Sequence, residues 1–133
     1  MKIIGFNLTK ILVEKNEKVE GDLEITQNID IKNLLEEDIK IYENKAIKIY
    51  FDLKIIYSKN YAKIEFEGNI LIIPDEKEKE KILESWKYKK ISEDTRLFIF
   101  NFIMNKCNIK ALFLEDDMGL PLHIPMPKMS IKK

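Results

Sequence analysis

Residues 47–72 read IKIYFDLKIIYSKNYAKIEFEGNILI, and this stretch decides the fold class. Apolar side chains alternate from Ile47 to Tyr57 and again from Ala62 to Ile72, which is the two-residue period of a strand with one buried face. The residues between the two runs, Ser-Lys-Asn at 58–60, are typical of a turn. The stretch therefore predicts an antiparallel hairpin of two long strands.

The residues before this hairpin predict two further strands. Every second residue is apolar from Ile4 to Leu8, and the apolar row continues on the opposite parity at Ile11 and Val13. This change of parity predicts a bulge near Thr9 and Lys10 in a long first strand. Another alternating run extends over 23–31 and predicts the second strand. We interpret residues 32–45 as a crossover connection that contains one helical turn.

After the hairpin the apolar residues follow a helical period. Asp75 and the Lys/Glu-rich run up to Trp86 predict an amphipathic helix with acidic groups at its positive end. Ser92 suits the N-cap of a second helix that reaches about Asp116, and Gly119 suits its C-cap. The sequence therefore predicts an α+β chain in which four strands are followed by a short and a long helix.

The long helix is apolar around most of its circumference, since Asn101 is the only polar residue between Leu97 and Met104. A single sheet can cover only one side of such a helix. We therefore expect a second copy of the chain to cover the other side. The side chains expected at that oligomer interface are Phe98, Phe100, Phe102 and Ile103.

A proline-rich apolar segment follows the long helix. Pro121, Pro125 and Pro127 keep the backbone extended and remove amide donors. Methionine and aromatic side chains of the second half of the chain suit a surface that repacks against varied partners, although most of them are expected to fill the core or the oligomer interface. The residues expected to bind a polypeptide partner are Trp86, Met118, Leu120, Leu122, Ile124 and Met126.

Length and composition restrict the class of protein. The chain has 133 residues, 45% of them hydrophobic, which is enough for one domain with its own core. We divide it into a sheet over 1–73, helices over 75–117 and a proline-rich tail over 119–133. No run approaches the roughly 18 consecutive apolar residues of a membrane span, and the N-terminus becomes polar too early for a secretory signal. We therefore expect a cytoplasmic protein without membrane insertion.

Few residues suit catalysis or metal binding. Cys107 is the only cysteine and His123 the only histidine, and we interpret both as packing residues. We interpret Glu65 and Glu67 as a solvated face beside lysines, and the acidic run 115–117 as a helix end that faces water. The four glycines form no nucleotide-binding loop. We therefore expect no catalytic residue, no metal and no cofactor, and hence no enzyme.

Charge argues against nucleic acid as a partner. The 23 basic and 23 acidic residues cancel, and Arg96 is the only arginine. A less favoured alternative is single-strand binding through Tyr50, Lys48 and Lys54 on the open sheet face. The abundance of Ile, Lys and Glu with few Gly and Pro is typical of a thermophile or an AT-rich genome.

The order of elements resembles SecB, the tetrameric export chaperone, and more closely the archaeal and toxin–antitoxin-linked SecB-like proteins. Three stretches carry the resemblance: the strand from Ala62 to Ile72 with its glycine and short apolar run, the long helix from Arg96 to Leu114, and the proline-rich run from Gly119 to Pro127. The resemblance covers nearly the whole chain in outline, with few identities.

This resemblance implies a four-stranded antiparallel sheet with a crossover connection, helices on one face, and a dimer or dimer of dimers. It also implies an ATP-independent holdase, a chaperone that binds unfolded or partly folded polypeptide in apolar grooves. The alternative is a scaffold with one dedicated partner, for example an antitoxin. Export SecB is strongly acidic, whereas this chain is neutral and ends in Ile131-Lys132-Lys133, so docking to a SecA motor is not carried over.

Overall fold

Four long strands and two helices follow one another in the computed structural model. The strands are β1 (Lys2–Lys15), β2 (Ile25–Glu37), β3 (Ala46–Tyr57) and β4 (Ala62–Ile73), and the helices are α1 (Glu76–Trp86) and α2 (Glu93–Met118). The structure describes residues 1–19, 21–39, 45–58, 60–127 and 129–131. The predicted α+β class and order of elements are confirmed.

The strands form one antiparallel sheet in the order β1-β4-β3-β2. The two central strands are the predicted hairpin, in which Ile47 lies opposite Ile72 and Tyr57 lies opposite Ala62. The same side chains that alternate in the sequence point toward the helices and are buried. The sheet therefore presents one apolar face to α2 and one polar face on the opposite side.

The crossover connection lies earlier in the chain than predicted. Because β1 and β2 occupy opposite edges of the sheet, the chain crosses between them after Lys15 and before Ile25. Residues 32–37, which we expected within the crossover, continue β2 as an edge strand. The charged residues at the end of this strand suggested that the strand stops before them. An edge strand tolerates charged residues because one side of it faces water. Residues 40–44 of the predicted crossover lie outside the described part of the chain.

The predicted bulge in β1 is confirmed. The register between β1 and β4 shifts between Leu8 and Lys10, and Leu8 lies opposite Gly68. A Cβ atom added at Gly68 would clash with the carbonyl oxygen of Asn7. Gly68 is therefore required in the middle of a strand because the bulged neighbour approaches its backbone closely.

The helices begin and end close to the predicted positions. Asp75 caps α1 through a reciprocal capping box with Glu78. Ser92 occupies the N-cap of α2, but its hydroxyl group contacts Thr95 and not a backbone amide. Gly119 ends α2 with a φ of 64°, a conformation that favours glycine.

One stripe of α2 packs against the sheet. Its members recur at every fourth position, which places them on one face of the helix, and all of them are fully buried. They are Ile99, Ile103, Cys107, Ala111 and Glu115. Partly buried side chains flank this stripe and also pack against the core, and the outer face of α2 is left for other contacts.

Candidate functional site

The outer face of α2 leaves large apolar side chains uncovered. Leu97, Phe98, Ile109 and Phe113 are between 43% and 70% exposed. By length and composition alone α2 could cross a membrane, a property that it shares with helices that pack in a protein core, and 22% of its apolar window is buried. Uncovered apolar surface of this extent marks a site of interaction.

An open groove of about 360 Å³ lies between the C-terminal half of α2 and the proline-rich segment. Five of its six lining side chains are apolar, and a single carboxylate stands among them. The lining residues are Ile109, Leu112, Phe113, Asp116, Leu122 and Met126. We refer to this surface as the apolar groove.

The apolar groove includes two of the six residues predicted to bind a polypeptide, Leu122 and Met126. The other four lie elsewhere. Met118 and Ile124 are half-buried, and Leu120 belongs to the core. Trp86 stands at the end of α1 beneath the amino group of Lys89, whose Nζ lies 4.7 Å from the ring centroid. The contribution of these four to binding remains a prediction.

Three groove residues on α2 escaped the sequence reasoning: Ile109, Leu112 and Phe113. Their spacing of three and four residues, and the polar residues that separate them from the core stripe, indicate an amphipathic outer face. The continuous apolar run from Leu97 to Met104 predicted an interaction surface on the N-terminal half of the helix instead.

The four predicted interface residues lie at different depths. Phe98 is exposed, and Phe100 is half-buried. Phe102 is also half-buried and meets the Phe6 ring edge-on, with 5.9 Å between ring centroids. Ile103 belongs to the stripe that faces the sheet and is fully buried, so it has no surface left for a second copy.

A buried polar network attaches the start of the proline-rich segment to the sheet and helix. Glu115 is fully buried, which corrects the expectation that the acidic run 115–117 faces water. The hydroxyl oxygen of Tyr57 lies 2.7 Å from Glu115 Oε2 and 2.6 Å from the carbonyl oxygen of Pro121. Its one hydrogen is shared between these two acceptors. The ring of His123 contacts the same carboxylate, with 2.7 Å between Nδ1 and Oε1.

The opposite, open face of the sheet carries an acidic cluster. Carboxylate oxygens of Asp52, Glu65 and Glu67 lie within 4.8 Å of one another. Glu65 is buried, so the predicted solvated face is wrong for this residue. The amino groups of four lysines lie within 4.0 Å of carboxylate oxygens in this cluster. Because four positive charges face three carboxylates, the arrangement favours an ion-pair network over a cation site. The four lysines are Lys10, Lys32, Lys54 and Lys63.

The lysines of the alternative nucleic-acid surface are already paired. Lys48 lies 3.8 Å from Glu37 and 5.6 Å from the Tyr50 ring centroid. Lys54 lies 3.5 Å from Asp52. These contacts reduce the charge that this face can offer to phosphate.

Cys107 has the buried position predicted for it, and burial raises the pKa of its thiol to about 12. A thiol with this pKa is protonated at neutral pH and is a poor nucleophile. The His123 side chain is likewise buried in the network described above.

No family model matches the sequence, and no curated protein matches it. Among solved structures, the chain is similar to the Mycobacterium tuberculosis SecB-like chaperone Rv1957, in complex with a ChAD peptide from the Rv1956 HigA1 antitoxin. The TM-score is 0.53, and the match covers 99% of this chain and 92% of that chain at 14% identity. This chain has a SecB-like fold. The predicted SecB-like sheet with its two following helices is therefore confirmed, and the apolar groove lies on the helical side of that SecB-like fold.

Proposed function

We propose that this protein is an ATP-independent holdase that binds non-native polypeptide in the apolar groove. The apolar groove carries the proposal, because it offers solvent-open apolar surface along a helix and an extended segment. A folded chain gains nothing from leaving Phe113 and Met126 in water unless a partner covers them. The SecB-like fold supports the same function.

Binding would be driven by removal of apolar surface from water. Each 100 Å² of apolar surface buried contributes about 2.5 kcal/mol before the cost of ordering the client is subtracted. The two edge strands, β1 and β2, could add backbone hydrogen bonds that do not depend on client sequence. This combination suits a chaperone that accepts many unfolded chains.

A dedicated partner is the second candidate, with a specific observation in its favour. The solved structure of similar fold contains a peptide from an antitoxin. A chaperone with one client needs the same apolar groove, with specificity added by groups such as Asp116 at its rim. A panel of unrelated denatured clients separates the two functions, because a dedicated scaffold protects only its own partner.

We also propose that the chain forms a dimer or a dimer of dimers through the N-terminal, exposed part of α2. Several apolar grooves in one assembly would bind a long client with an avidity that one groove lacks. The protein would act in the cytoplasm. A SecA-type motor is not included, because a chain of zero net charge lacks the acidic surface of export SecB.

The test is suppression of aggregation. Equimolar protein should slow the light scattering of a denatured client in the absence of ATP. The double variant Ile109→Asp/Phe113→Asp should lose most of this activity, because it places two charges in the apolar groove.

Tyr88→Asp is the control, since it places a charge at an exposed large side chain that lies outside both α2 and the apolar groove. It should retain the activity of the parent. Equal protection by the double variant and the parent, with both folded, would contradict the proposal.

A further inference from the structure

Both ring nitrogens of His123 face oxygen acceptors. Nδ1 lies 2.7 and 2.9 Å from the two carboxylate oxygens of Glu115, and Nε2 lies 2.9 Å from the amide oxygen of Asn108. The side chain of His123 is 2% exposed and that of Glu115 is 0% exposed. The charged imidazolium form, with a proton on each nitrogen, satisfies both contacts by donating to Asn108 and to the Glu115 carboxylate.

A second contact fixes the amide oxygen of Asn108 as an acceptor. Gln27 of β2 places its Nε2 at 2.9 Å from the same Oδ1 atom. If the Asn108 amide turned over to serve a neutral imidazole, its amino group would face the amino group of Gln27. Nε2 therefore keeps its proton, and a neutral ring would be the tautomer whose Nδ1 turns a lone pair toward the Glu115 carboxylate.

The other groups around this network supply no competing positive charge to the carboxylate. Burial and the hydrogen bond to Glu115 raise the pKa of Tyr57 on β3, so its hydroxyl group remains a neutral donor. Lys15 of β1 donates to the carbonyl oxygen of Met118 at 2.7 Å. Among the described residues, His123 is the one cation in contact with Glu115.

We propose that His123 is a pH-dependent latch that holds the proline-rich segment against α2 and so forms one wall of the apolar groove. Leu122 precedes the latch residue, Met126 follows it, and both line that wall. The backbone N–H of His123 also faces the Glu115 carboxylate, at 3.3 Å. Beyond Leu120, which packs in the core, the polar contacts that attach the described part of the segment are therefore one ion pair and a few hydrogen bonds.

The sign of the pH dependence follows from the ion pair. While the imidazole is protonated, its charge compensates the buried carboxylate and the latch is closed. When the imidazole loses its proton as the pH rises, Glu115 becomes a buried charge without a counter-charge and the segment is released. The latch itself stands on the geometry alone, whereas its role in controlling client access rests on the proposed function.

His123 is the only histidine in the chain, so imidazole NMR signals report this site alone. Long-range ¹H–¹⁵N spectra of the full chain, recorded at about pH 6, should show protons on both ring nitrogens. A ring with one unprotonated nitrogen under these conditions would overturn the proposal.

Hydrogen exchange tests the release of the segment. Protection of the backbone amide at position 123, which faces the Glu115 carboxylate, should fall roughly tenfold or more between about pH 6 and about pH 9 after correction for intrinsic exchange. In His123→Gln and Glu115→Gln it should be low at both pH values. Asp117→Asn, which alters an exposed acid of α2 outside the apolar groove, should behave like the parent.

Constant protection of this amide in the parent across that pH range would overturn the latch, and this measurement involves no client. Loss of aggregation suppression alone would overturn the proposed function and leave the latch standing. If the latch and the proposed function are both correct, client affinity should change with pH in the parent and not in a folded His123→Gln variant.

Discussion

One oxygen of the Asp52 carboxyl group is buried without a hydrogen-bond partner among the described residues. Burial, followed by the neighbouring Glu65, raises the pKa of Asp52. Burial alone would raise the pKa of Glu65 too, but the hydrogen bond from Lys10 at 3.1 Å and the nearby lysines lower it. The opposite directions indicate that Asp52, and not Glu65, is the first of the two carboxylates to take up a proton as the pH falls.

The sign of the effect on stability differs between the two groups. The contribution of Asp52 is complete at acid pH and is lost as the pH rises through its raised folded-state pKa. The contribution of Glu65, whose pKa is lowered, is present above the ordinary Glu range and is lost as the pH falls. At neutral and alkaline pH, Asp52 is therefore the group that reduces stability.

The substitution Asp52→Asn tests this assignment. Asparagine supplies an N–H donor to Glu65 without a buried charge, so it should raise the free energy of unfolding by about 1 kcal/mol at pH 8 and change it little at pH 4. Urea unfolding at the two pH values measures the difference. Asp22→Asn, in an exposed loop, should have no such pH-dependent effect, and a loss of stability at pH 8 in Asp52→Asn would refute the assignment.

At the scale of elements, the bulge in β1 and the glycine in β4 form one structural unit. Gly68→Ala should destabilise the protein by about 1–3 kcal/mol, because the new methyl group clashes with the backbone at Asn7 and the strands must separate. The midpoint of urea unfolding measures the cost.

Gly5→Ala is the matched control in the same pair of strands. A Cβ atom there would meet only the Cβ of Leu71, at an ordinary contact distance of 3.5 Å. If both variants lost the same stability, the close approach at Gly68 would not be the reason for its glycine.

Local sequence patterns predicted the strands and helices, but they did not predict which distant segments pair with each other. The alternation over 47–72 and the caps Ser92 and Gly119 each act over a few residues, so the hairpin and the ends of α2 could be read from the sequence. The pairing of β1 with β4 joins distant segments and leaves no local signal. The position of the crossover was therefore missed.

The site was predictable only in part for a related reason. A helix that is apolar around most of its surface does not reveal which face meets the sheet, so Ile103 and Phe98 could not be separated by sequence. Glu115 in an acidic run gives no sign that Tyr57 and His123 will surround it. Leu122 and Met126 were identified because prolines hold their segment extended whatever it packs against.

At the scale of the whole molecule, the uncovered apolar surface of α2 predicts self-association. The parent should have a mass in solution of at least twice the 15.8 kDa of one chain. Leu97→Lys/Phe98→Lys should reduce the assembly, because two charges would be buried at the interface without partners. Light scattering coupled to size exclusion measures the mass.

Tyr88→Lys is the control for this experiment, since Tyr88 is exposed but lies outside α2. It should assemble like the parent. A parent that elutes with the mass of a single chain over the concentration range used for aggregation assays would disprove self-association through α2.

The sheet order also determines when each part of the chain can be completed during synthesis. The hairpin of β3 and β4 closes through a short turn, but Lys2 must wait for Ile73, its partner in the register of β1 and β4. Of the four strands, β1 leaves the ribosome first and is among the last to be paired, with its apolar row uncovered in the meantime. Until β4 has been made, β1 is itself an unfolded segment of the kind that we propose the apolar groove accepts, so a finished copy could shelter one still being synthesised.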